Sequence, residues 1–144
     1  MPLRKASIEV IDQLAEVIDD IKGIYTREDI GSCPGKHVRH ILDHYSALIT
    51  GNESGIVNYN LRSRDSDEES STETAKLRLN TIRHWFVDTD WRSGTVDVES
   101  EVSVSATVNS TVQSTIEREV AYVHAHTIHH LAQIRLLAKV YQVA

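Results

Sequence analysis

Apolar residues recur at spacings of three and four through Ile8, Ile11, Leu14, Ala15, Ile18, Ile21 and Tyr25, with Glu9, Asp12, Glu16 and Asp19 between them. A helix turns ~100° per residue, so this spacing draws one apolar stripe and predicts a core-facing first helix. Gly31-Ser32-Cys33-Pro34-Gly35 closes the following linker. Ser32 or Cys33 can cap a second helix, and Pro34 suits an early helical position where a missing N–H costs nothing. That helix is predicted to run to about Thr50, with Gly51 and Asn52 as its stop.

Residues 51–69 read as a long loop. It is a solvated connector, or a wall over a site with Tyr59, Arg62 or Arg64 turned inward. Ser70-x-x-Glu73 is a capping-box signal, and Ala75, Leu79, Ile82 and Phe86 share one face of the third helix it opens. Period-two alternation in 95–99 and 102–106 predicts a small hairpin or extended crossover. A second capping box, Ser114 to Glu117, opens a last helix reaching about Tyr141 without Gly or Pro. At ~25 residues it is ~38 Å long, the longest rod of a bundle. The expected fold is all-α: one domain over 1–144, a four-helix bundle with a long loop between helices 2 and 3 and a short hairpin or extended crossover before helix 4.

Composition narrows the function. The net charge of −6, with Lys and Arg scattered, argues against nucleic acid as a partner. One cysteine excludes an internal disulfide and fits a reducing compartment. No stretch approaches the about 18 apolar residues of a membrane span, and the N-terminus lacks a signal-peptide pattern. The expected location is cytoplasmic, without membrane contact.

Seven of the eight histidines fall in two helical segments, His37 to His44 and His124 to His130. His37, His40 and His44 project from one side of helix 2, and His126 and His130 from one side of helix 4. Imidazole is a common ligand for zinc, nickel, copper and iron. An i, i+4 pair needs a third ligand, which His40 or His44, and less readily His37, supplies. His124 points away from His126, and His84 lies off the apolar face of helix 3. Glu119, seven residues before His126, and Tyr59 are candidates for proton transfer or for supporting the ligands. A salt bridge for Glu119, with Arg118 or a loop arginine, and a packing role for Tyr59 are the structural alternatives. Cys33 reads as a capping or buried residue before it reads as a nucleophile.

His37-Val38-Arg39-His40-Ile41-Leu42-Asp43-His44-Tyr45 and His126-Thr127-Ile128-His129-His130-Leu131-Ala132-Gln133-Ile134 resemble the two histidine motifs of the DinB/YfiT-like metalloenzyme family. The helix order, the long 2–3 loop and the Ser114-to-Glu119 entry to helix 4 fit as well. The resemblance implies a four-helix bundle of unusual connectivity around a divalent zinc, nickel or iron ion. Its ligands would be His40, which matches the family's helix-2 motif best, with His126 and His130; His44 is the reserve. His37 and His129 would be neighbours of the site. Family members include thiol S-transferases, a maleylpyruvate isomerase and the bundle domain of sulfoxide synthases, which implies a small-molecule substrate or low-molecular-weight thiol, for S-transfer or hydrolysis. A homodimer is implied by the resemblance only. The alternative is a non-catalytic metal-binding or stress-associated bundle.

Overall fold

The computed structural model of the chain describes residues 1–61, 67–103, 105 and 108–141. Those residues form helices α1 (Pro2–Asp20), α2 (Pro34–Ser54), α3 (Thr72–Asp88) and α4 (Ile116–Val140), and strands β1 (Ile56–Asn58), β2 (Val96–Glu101) and β3 (Asn109–Ser114). The chain is thus mostly helical but not all-α, because the three strands form one small sheet in the order β1-β2-β3. No helix among the described residues is long and apolar enough to cross a membrane.

The apolar stripes meet as the spacing predicts. Ile11, Leu14 and Ile18 of α1 and Leu79, Ile82 and Phe86 of α3 are buried in one core with Ile41, Leu42, Tyr45 and Leu48 of α2 and Val120, Val123, Leu131 and Ile134 of α4. Each such side chain contributes about 1.5–3 kcal/mol by leaving water. α1 packs on α3, and α2 packs on α4. The second pairing brings the two histidine segments face to face. Beside them, the Thr127 hydroxyl is hydrogen-bonded to the Tyr45 hydroxyl (3.1 Å) and the Val123 carbonyl (2.8 Å), a buried polar tie between α2 and α4.

Several boundaries differ from expectation. α1 stops at Asp20, and a 3-10 turn, Lys22–Ile24, carries the stripe on to a buried Tyr25. α2 runs through Gly51 and ends at Gly55, whose φ of 83° is open to glycine at little cost. Gly51 serves a different need: a Cβ there would stand 2.3 Å from Val57 Cγ2 and 3.0 Å from Val57 Cα. The absent side chain lets β1 lie against α2. Both helix caps sit one residue later than the expected boxes: Ser71 accepts from Thr74 N–H, and Thr115 accepts from Arg118 N–H. Cys33 is the N-cap position of α2 but makes no side-chain cap; it is buried and its thiol donates to the Tyr25 carbonyl at 3.2 Å.

The sheet is where expectation and structure part most. β1, inside the expected loop, pairs parallel with β2 through Ile56↔Asp97 and Asn58↔Glu99. The partner of β2 in the hairpin is 109–114 rather than 102–106, with Val96↔Ser114 and Glu101↔Asn109. Val102, Ser103 and Ser105 lie outside strands, while 104 and 106 fall outside the described residues. Val57, Val96 and Val98 point into the core, which holds the sheet on the bundle beside α2 and α4.

Candidate metal centre

His40 from α2 and His126 and His130 from α4 converge so that one ring nitrogen from each lies within 4.8 Å of the others. His40 Nε2 and His126 Nε2 are 3.1 Å apart. Nitrogens bound to one tetrahedral zinc at ~2.0–2.1 Å stand roughly 3.3 Å from one another. The nearest pair is therefore already at ligand spacing, and the third is within a small side-chain adjustment.

The donors also have the right charge state. Burial, helped by the neighbouring His44, His130 and His40, pushes His126 down to about 3. Burial with His40 and His37 pushes His130 down to about 4. Both rings are neutral at physiological pH, as ligation requires. His126 Nδ1 is buried with no hydrogen-bond partner among the described residues. The three residues fit a divalent cation in number and spacing, and the α4 pair fits in protonation.

His44 lies beside this group without entering it. It is buried, its Nδ1 donates to the His40 carbonyl at 3.2 Å, and its ring stacks on His126 at 3.9 Å between centroids and on Tyr59 at 5.0 Å. His37 reaches the cluster from the far side, with Nδ1 3.0 Å from His130 Nδ1. His129 is exposed and contacts Gln133, and His84 is exposed. His124 is half-buried and is not part of the cluster.

A cleft of about 870 Å³ opens over His40, His44 and His126, walled by Tyr59, Glu119 and Tyr122. The strands supply its other side, with Ser100 and Glu101 from β2 and Val112 from β3. Glu119 is buried and receives two hydrogen bonds, from Tyr59 Oη to Oε1 (2.9 Å) and from Ser114 Oγ to Oε2 (2.7 Å). Burial and the Glu119 carboxylate push the Tyr59 phenol far above its ordinary range, so Tyr59 stays a proton donor. Tyr122 is pushed up by the same two causes. Among the described residues the Glu119 partners are hydroxyls and not Arg118; the loop arginines Arg62 and Arg64 lie outside the described residues. Tyr59 does turn inward, as the wall reading of the 51–69 segment had it. The sequence reads Ser114 as a helix cap and gives no site role to Tyr122, although Tyr122 lies on the polar stripe of α4 between Glu119 and His126.

No family model matches the chain, and no curated protein or solved structure gives a significant match.

Proposed function

We propose that this protein is a metal-dependent enzyme of the DinB/YfiT type. Its divalent ion, zinc, nickel or iron, is held by His40, His126 and His130, and its substrate is a small molecule, with a low-molecular-weight thiol or water as the attacking group. One observation carries the reading: three histidine donors converge beside a cleft that His40 and His126 line and whose wall also holds a buried, hydroxyl-anchored carboxylate. A three-histidine site leaves a coordination position open, and a bound cation supplies the Lewis acidity that activates a thiol or water near neutral pH.

The chain's own groups do the rest. Glu119 faces the cleft with its orientation set by Tyr59 and Ser114, so it is the carboxylate that takes up or returns a proton. Tyr59 keeps its proton and holds Oε1 in place. Tyr59 and Tyr122 give the cleft an aromatic wall.

The test is elemental analysis of untagged protein beside a His126→Ala/His130→Ala variant. One divalent ion per chain, lost in the variant, is expected; equal metal content in both sinks the site. Full occupancy with no turnover of any thiol or ester substrate would favour the non-catalytic metal-binding alternative.

A further inference from the structure

Ser32, His37 and His130 form a hydrogen-bonded line that ends at the histidine cluster. His37 Nδ1 lies 3.0 Å from His130 Nδ1, and His37 Nε2 lies 3.1 Å from Ser32 Oγ. Ser32 is anchored in turn, since its carbonyl accepts from Tyr141 Oη at 3.4 Å at the end of α4. With Nδ1 turned to His37, the nitrogen His130 has left for a cation is Nε2. A neutral imidazole has one N–H and one lone pair, so ligation through Nε2 requires the proton on Nδ1 and an acceptor for it.

We infer that His37 is a positioning residue that holds His130 in the Nδ1–H tautomer with Nε2 free for the cation; this rests on the metal-site reading above. The protons run one way along the line. His130 Nδ1–H donates to His37 Nδ1, and His37 Nε2–H donates to Ser32 Oγ. The reverse direction satisfies the same hydrogen bonds but leaves His130 Nε2 protonated and closed to a metal. The partner of a ligating histidine's second nitrogen is typically worth 10–100-fold in metal affinity. His126 has no such partner for Nδ1 among the described residues and is held by its stack on His44 instead. His37 is therefore the group through which the linker before α2 controls one ligand of α4.

The experiment measures Zn²⁺ and Co²⁺ affinity by chelator competition for wild type, His37→Ala, His37→Asn and Ser32→Ala, with the ¹⁵N shifts of the His130 ring in metal-free protein. His37→Ala is expected to bind about 10–100-fold more weakly, with a mixed His130 tautomer and a metal-free Tm within a few degrees of wild type. His37→Asn, whose Oδ1 accepts the same N–H, recovers most of the affinity. Ser32→Ala weakens binding by less than His37→Ala. Wild-type affinity or an unchanged His130 tautomer in His37→Ala overturns the inference and leaves the metal site standing. A wild-type protein that binds neither ion overturns the site and the inference with it.

Discussion

The Tyr59 hydroxyl donates to Glu119 Oε1 across 2.9 Å, tying the segment after β1 to the first turns of α4. Hydrogen bonds to charged groups are worth about 1.5–3 kcal/mol. Tyr59→Phe is expected to lose stability of that order, seen as a lower urea midpoint with an unchanged slope. Glu119→Ala should cost more, because it strips both Tyr59 and Ser114 of their acceptor. Glu119→Gln tests the proton-transfer role: metal content should stay at the wild-type level while turnover falls. A Glu119→Gln enzyme with full activity would remove Glu119 from the chemistry.

The depressed histidines set a pH dependence. His126 and His130 fold with values of about 3 and about 4, against 6.5 in the unfolded chain. Between those values the unfolded state binds protons that the folded state does not, so stability rises with pH there. The metal-free protein should be stable above pH 6.5 and weaken as the pH falls toward 5, where carboxylates contribute little. Urea midpoints at pH 7.5 and 5.5 measure this. His126→Ala/His130→Ala should flatten the difference, and a midpoint that rises on acidification would contradict the burial of neutral rings.

His40 and His44 can be told apart by metal content. His40→Ala is expected to lower metal affinity sharply, since His40 Nε2 is one of the converging donors. His44→Phe should retain the ion, because it keeps an aromatic ring between Tyr59 and His126 and leaves the three converging donors in place. The opposite ranking would make His44 the α2 ligand.

Gly35 tests the docking of α2. A Cβ at this position would stand 2.1 Å from the Glu69 carbonyl oxygen and 3.0 Å from the Tyr25 ring. Forcing atoms into a packed contact typically costs 1–3 kcal/mol, and backbone yields less readily than a side chain. Gly35→Ala is expected to reach about 3 kcal/mol in urea denaturation, whereas Gly23→Ala, with open space around it, should change little.

Much of this was legible in the chain. The four helices follow from apolar spacing, and helix faces set His126 and His130 opposite a row of His37, His40 and His44; the choice of His40 from that row comes from the motif resemblance and not from spacing. The sheet was not legible, for physical reasons. β1 is only Ile56–Asn58, too short to show a period, and its partner β2 lies some forty residues away, so the pairing is a tertiary event. β3 is polar and mostly exposed, and without a buried face it carries no alternation. Gly51 looked like a stop because glycine often ends helices; here its missing side chain admits Val57, and Gly55 makes the turn. The hydroxyl partners of Glu119 depend on that sheet, since Ser114 closes β3 and Tyr59 follows β1.

The split of the cleft between helices and strands has a consequence for how this protein can change. The converging donors sit on α2 and α4, rods locked by the main core, while Ser100, Glu101 and Val112 on the opposite wall belong to a hairpin whose outer strand packs little. Ser100, Glu101 and Val112 can therefore be exchanged without disturbing the histidine cluster, so the wall that a bound molecule would meet can vary while the converging donors stay fixed.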